Sequence, residues 1–217
     1  MTAAKLPLLY AFDPFCGWCF AFTDVMAELR RRFADDVEWN VMCGGMVDGS
    51  RSLADGRGFL TTAMASVEER STVQFGQPFH TLLDEGSTRC DSEPPCRATF
   101  VVEQQAGGSA AVDFGCMLSK MFYEEGKLLD DEATWREAAA RVGVDADALL
   151  AHVDTPDAKA ETQKLFAWCH QAGVRGYPMV LLPTSKGLLP LVHGYVDVDE
   201  AVQRVEAAIE AVAAQGG

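Results

Sequence analysis

Two cysteines three positions apart, Cys16 and Cys19 in the stretch DPFCGWCFAF, stand where a short apolar run stops and a longer periodic one begins. Three chemistries fit: a dithiol–disulfide couple, half of a zinc site, or two small core residues that carry sulfur. In a helix, positions i and i+3 share a face, so two thiols at this spacing can close a small ring. Backbone N–H groups without partners at a helix start stabilise an anion, and there a thiol pKa near 8.5 drops to ~7 or below. A shift of ~1.5 units amounts to about 2 kcal/mol in favour of the thiolate. Cys16, nearer the helix start and expected to be exposed, is then the attacking sulfur, and Cys19, buried a turn deeper, the resolving one. Asp13 opposes this if its charge faces the sulfur; strand termination or helix capping is its simpler role. Trp18 beside the pair reads either as apolar packing or as a contact surface for substrate.

A zinc site needs four ligands, usually from a second Cys-x-x-Cys or a closely spaced His pair. The sequence offers neither: Cys90 and Cys96 are too far apart, and His80, His152, His170 and His193 are scattered singly. No metal is therefore expected. Two inert core thiols remain as an alternative, although buried cysteines seldom sit paired at a helix start.

The elements that must position the pair follow from periodicity. Leu8 to Phe12 is a continuous apolar run closed by Asp-Pro, the pattern of a strand buried on both faces. Phe22, Val25, Met26, Leu29 and Phe33 form one helical stripe, with Arg30 to Arg32 complementing the carbonyl end. Val37, Trp39, Val41 and Cys43 alternate on one strand face before Gly44-Gly45, giving a strand–helix–strand unit with parallel strands and a right-handed crossover. From about Leu60 to Ala172 the periodic segments are helical, with no convincing strand. Ala111, Phe114, Met117, Leu118, Met121 and Phe122 make one stripe, and Trp135, Ala138, Ala139 and Val142 another. Cys116 and Cys169 fall within such stripes and read as core. Thr155, Pro156 and Gly173 punctuate a helix as N-cap, first residue and stop. Met179 to Pro183 and Leu188 to Val192 read as a hairpin entered through the rigid turn GVRGYP, and Asp197 with Glu200 as a capping box on the last helix.

Composition narrows the function. The 217 residues are 48% hydrophobic, enough for a real core, and seven cysteines cannot all pair within one chain. A net charge of −14 argues against nucleic acid and anionic membranes as partners. No run approaches the ~18 apolar residues of a membrane span, and the N-terminus lacks the apolar core and cleavage site of a signal peptide. A cytoplasmic location is the expectation.

Together, DPFCGWC near the N-terminus, a helical block of over 100 residues and GVRGYP before the last two strands resemble the DsbA-like thiol:disulfide oxidoreductases of the thioredoxin superfamily. GQPF at Gly76 to Phe79 and DSEPPCRATFVVEQ at Asp91 to Gln104 look like the inserted helical domain of the FrnE-like cytoplasmic branch of protein-disulfide isomerases. The resemblance implies an α/β, thioredoxin-like fold interrupted by a large all-helical insertion, with residues 1–55 and 170–217 forming the thioredoxin-like domain and 56–169 the insertion. It implies Cys16 as nucleophile, Cys19 as resolving cysteine, and Pro178 as a cis-proline opposite them that keeps metals off the thiols. Phe15, Trp18 and Tyr177 would contact the substrate. No cofactor beyond the cysteine pair is implied, and the exchange partner would be a protein or small-molecule thiol or disulfide, glutathione included. Cys43 and Cys90 depart from the family's pattern. A Cys90–Cys96 bond around DSEPP would be a second redox pair, but two separate thiols is the favoured reading because Pro94 and Pro95 stiffen the path. The competing readings are a glutathione-dependent isomerase or transferase, which has no use for Cys19, and a non-catalytic chaperone or binding module.

Overall fold

The computed structural model describes residues 5–215; the start of the stretch read for a leader, residues 1–4, lies outside them. In chain order the elements are β1 (Leu6–Phe12), α1 (Gly17–Ala21), α2 (Thr23–Arg32), β2 (Val37–Cys43), β3 (Asp48–Ser52), α3 (Leu53–Arg70), α4 (Gln77–Glu85), β4 (Arg89–Asp91), α5 (Glu93–Ala106), α6 (Gly108–Tyr123), α7 (Glu132–Val142), α8 (Ala146–Val153), α9 (Pro156–Gln171), β5 (Met179–Thr184), β6 (Gly187–His193) and α10 (Val198–Gln215). The main sheet has the order β2-β1-β5-β6. β1 and β2 run parallel, from Leu6 opposite Val37 to Phe12 opposite Cys43, while β5 is antiparallel to both β1 and β6. The expected strand–helix–strand unit and closing hairpin are therefore present. The result is a mixed α/β fold in which most of the helices lie between β2 and β5.

β1 is central because it is apolar on both faces. Leu8, Tyr10 and Phe12 point into the larger core with α2 and α6, and Ala11 points the other way into a smaller cluster with Met42, Cys169, Met179 and Leu181. Alternate side chains of one strand thus glue helices to two faces, as the period of two demands. α6 comes close to the sheet through Gly115: a Cβ there would lie 2.3 Å from the Phe12 ring, so any larger residue would push the helix off β1. The larger core is continuous from the sheet through α3 to α8, so the helical block shares its interior with the sheet.

Capping follows the sequence with one difference. Asp131, Asp145 and Thr155 each accept a backbone N–H as N-caps of α7, α8 and α9. Asp197 accepts the N–H of Glu200 at 2.9 Å, but the Glu200 carboxylate turns to Arg204, so only half of the expected box forms. A second difference concerns the stretch read as strandless: β3 and β4 pair antiparallel in a small separate sheet. β4 is only three residues long, too short for alternation to show, and β3 (DGSRS) has no buried residue to make a pattern. Trp168, beside Cys169 on α9, is 42% exposed, and Cys116, read as core, is only partly buried. Among the described residues no helix is long and apolar enough to cross a membrane.

Candidate functional site

The chain leaves β1 at Phe12 and turns through Asp13-Pro14-Phe15 into α1, with Cys16 as its N-cap in an extended conformation. Three groups distant in sequence hold this turn. Ser119 donates its hydroxyl to the Pro14 carbonyl at 3.1 Å, and Tyr123, one turn further along α6, donates to the Phe15 carbonyl at 2.5 Å. Asp13 is fully buried, and its carboxylate accepts the N–H groups of Phe15 at 3.0 Å and Met46 at 2.7 Å, tying the turn to the segment after β2. It does not cap α1, for which no side-chain cap exists. Burial pushes its pKa up, against the two N–H donors that lower it.

Cys16 is 7% exposed and Cys19 1%, so the expectation of an exposed Cys16 is corrected: the turn is held against α6 by Ser119 and Tyr123 and leaves little of the residue to solvent. All seven cysteines are free thiols. The Cys16 thiol is held below its ordinary pKa first by the Cys19 thiol, which hydrogen-bonds to its sulfur, and then by the N–H groups of Cys19 and Trp18; burial and the Asp13 charge oppose this. The helix-start amides invoked from the sequence contribute, but the neighbouring S–H contributes more. Cys19 moves the other way, its thiol pushed well up by burial and by Cys16. The two thiols are therefore driven apart, Cys16 downward and Cys19 upward. Tyr10 lies beneath them, fully buried, with a hydroxyl that has no hydrogen-bond partner within ordinary distance.

Opposite the pair, the Tyr177–Pro178 peptide bond is cis, and the Tyr177 carbonyl lies 3.7 Å from the Cys16 sulfur, which donates to it. The Tyr177 side chain turns inward: its hydroxyl donates to the Gly44 carbonyl at 3.2 Å and lies 3.5 Å from the Cys169 sulfur. Cys16, Cys19, Tyr177 and Pro178 thus converge although 161 positions separate Cys16 from Tyr177. Phe15 is 9% exposed, its ring edge-on to Phe122. Trp18 is half-buried beside Tyr195, with the Arg70 guanidinium 5.1 Å from its ring centroid. A cleft of about 570 Å³ opens beside Phe15, lined by Met46, Phe59, Leu60, Phe79 and Cys90, and Phe59 is 77% exposed at its rim. A larger groove of about 820 Å³ between Lys5, Trp39 and Gly108 is lined by none of the thiols.

Cys90 and Cys96 are not joined. Cys90 sits on β4 at the cleft and Cys96 is fully buried in α5, where its sulfur lies beside that of Cys43. The sequence reading missed Ser119, Tyr123, Gly44 and the Asp13–Met46 tie. Only the first two left a signal, as polar groups four apart on an otherwise apolar stripe. Among the described residues no group of three or more His, Cys, Asp or Glu side chains could hold a metal ion.

The model of the DSBA-like thioredoxin domain matches residues 62–206, which takes in α4 to α9, the cis turn and the last hairpin; the Cys16–Cys19 segment precedes the match. A search of curated proteins gave no match. Among solved structures, a protein of Nitrosomonas europaea provisionally named a protein disulfide isomerase is 22% identical, covering 95% of this chain and 98% of that one, with a TM-score of 0.83. The cytosolic disulfide reductase DsbM of Pseudomonas aeruginosa is also 22% identical, covering 94% and 99%, with a TM-score of 0.75, and has a second structure with glutathione. The oxidoreductase DsbA of Xylella fastidiosa is more distant, at 14% identity over 99% and 89% with a TM-score of 0.59. At these identities the neighbours establish the fold, and the match over two thirds of the sequence establishes the rest: the chain belongs to the DSBA-like thioredoxin family of thiol-disulfide oxidoreductases.

Proposed function

We propose that the protein exchanges disulfides through a Cys16–Cys19 couple, with Pro178 and the Tyr177 backbone forming the opposite wall. The observation that carries this reading is the opposed shift of the two thiols at the mouth of α1, with the Tyr177 carbonyl 3.7 Å from the Cys16 sulfur. The Cys16 thiolate attacks one sulfur of a substrate disulfide, and the other sulfur leaves with the electron pair and takes a proton. Cys19 then loses its proton and attacks the Cys16 sulfur; the second substrate thiol departs, and a Cys16–Cys19 disulfide remains. Two electrons pass to the substrate, and a second thiol pair returns them. No further cofactor or metal is invoked.

The substrate is a protein or small-molecule disulfide, met through Trp18, Phe15 and the apolar cleft with Phe59 at its rim. Glutathione fits as exchange partner: Arg70 above Trp18 supplies a cation for one of its carboxylates, and a structural neighbour has been determined with it. A cytoplasmic site of action, as for that neighbour, favours reduction or isomerisation over net oxidation.

The test is trapping. Cys19→Ser incubated with oxidised glutathione is expected to accumulate a mixed disulfide on Cys16, while Cys16→Ser accumulates none and is inactive. Turnover that survives Cys19→Ser would replace the couple with a single-cysteine glutathione-dependent mechanism, and turnover surviving Cys16→Ser would remove the proposal. The equilibrium potential then sets direction: near ~−270 mV it indicates a reductase, near ~−120 mV an oxidant.

A further inference from the structure

Below the couple a second pair of thiols has been brought together from distant parts of the chain. Cys43 is the last residue of β2, Cys96 lies in the second turn of α5, and neither has any solvent exposure. The Cys43 thiol donates to the Cys96 carbonyl, with sulfur and oxygen 3.9 Å apart, and the two sulfurs lie within interaction range of each other. The Gly45 N–H points at the Cys96 sulfur. Of the thiols closest in the fold, Cys169 faces the Tyr177 hydroxyl and Cys90 lies on β4 at the cleft.

We propose that Cys43 and Cys96 are a second redox pair, which closes a disulfide between the end of β2 and α5 when the protein meets a peroxide. The way in is through Cys43. It is followed by Gly44 to Val47, a segment without regular structure in which Met46 is 45% exposed, so a local opening uncovers the sulfur without unfolding the sheet. The Cys43 thiolate attacks the O–O bond, giving a sulfenic acid on Cys43 and hydroxide. The Cys96 sulfur then attacks the Cys43 sulfur, the S–O bond breaks, and the S–S bond forms. Two thiols and one hydrogen peroxide become one disulfide and two waters.

The bond would act on the main site from beneath. The Gly44 carbonyl holds the Tyr177 hydroxyl and the Met46 N–H holds Asp13, so tying Cys43 to α5 fixes the segment on which both walls of the Cys16 site rest. The proposal does not depend on Cys16 and Cys19 being catalytic.

The test maps bonds in the native, reduced full-length protein after treatment with hydrogen peroxide, followed by quenching, alkylation under denaturing conditions and trypsin digestion. Residues 90–97 form one tryptic peptide containing both Cys90 and Cys96, and Cys43 lies in another, residues 33–51. The expected product is a cross-link of these two peptides, lost on reduction with dithiothreitol and absent from Cys96→Ala. A Cys90–Cys96 bond confined to the first peptide, a Cys43–Cys169 bond, over-oxidation of Cys43 with Cys96 still alkylatable, or recovery of both as alkylated thiols would each overturn the proposal. As a second measurement, peroxide should raise the urea midpoint of the Cys16→Ser/Cys19→Ser protein but not that of the same protein carrying Cys96→Ala; equal midpoints before and after oxidation would also overturn it.

Discussion

Gly44→Ala should damage the site without touching Cys16 or Cys19. Gly44 is absent from the glycines with positive φ, so alanine meets no backbone strain there and the cost is steric. A Cβ at this position would lie 2.1 Å from Cζ, 2.3 Å from the hydroxyl oxygen and 2.6 Å from Cε2 of Tyr177, where unstrained carbon contacts need about 3.5–4 Å. The ring must therefore swing out as a unit, breaking its bond to the Gly44 carbonyl and its contact with Cys169. Overpacking costs roughly 1–3 kcal/mol and the lost hydrogen bond about 1 kcal/mol, so the expected loss of stability is about 2–4 kcal/mol. Because the same residue's carbonyl faces Cys16, thiol exchange with a model disulfide should slow as well. The assay is a double-mutant cycle by urea unfolding of the reduced protein, using Gly44→Ala, Tyr177→Val and the pair. Without the ring there is nothing to collide with, so in the Tyr177→Val background Gly44→Ala should cost less than about 1 kcal/mol, a coupling of roughly 2 kcal/mol. Additivity within about 0.5 kcal/mol would refute the wedge argument.

Three further predictions concern charge. Iodoacetamide modification of Cys16 should follow a titration centred below the ordinary thiol value, and Cys19→Ala, which deletes the largest stabilising donor, should move the midpoint upward; an unmoved midpoint would assign the effect to the backbone amides alone. Since the folded value is the lower one, the Cys16 thiolate adds stability to the reduced protein as pH rises from the folded value to the ordinary one, holds it above, and loses it on acidification through the folded value; urea midpoints across that window measure this. Arg97 is only 5% exposed and donates to Glu93 at 2.9 Å and to the Val153 carbonyl and Asp154 at 2.5 Å, joining α5 to the end of α8. Arg97→Met keeps bulk but strands these acceptors and should cost about 2–4 kcal/mol in urea unfolding, whereas a loss below about 1 kcal/mol would show that water satisfies them.

The sequence by itself determined what is local. Leu8 to Phe12 had to be an interior strand because it is apolar on both faces, Ala111 to Phe122 had to be a helix because its apolar residues fall on one stripe, and Cys16 had to meet a helix start because a strand ends at Asp13 and a 3.6-residue period follows. Short or one-sidedly polar pieces escaped: β3 and β4 carry too few buried side chains for a period to register. What only the tertiary structure decided is which distant groups face one another. A polar side chain such as Asp13, Ser119 or Tyr123 announces that it needs a partner but not where the partner lies, and a cysteine announces neither. The pairing of Cys43 with Cys96, the closeness of the Tyr177 carbonyl to Cys16 and the fit of a tyrosine ring over Gly44 come from packing surfaces separated by dozens of residues or more, where shape and burial choose the contact.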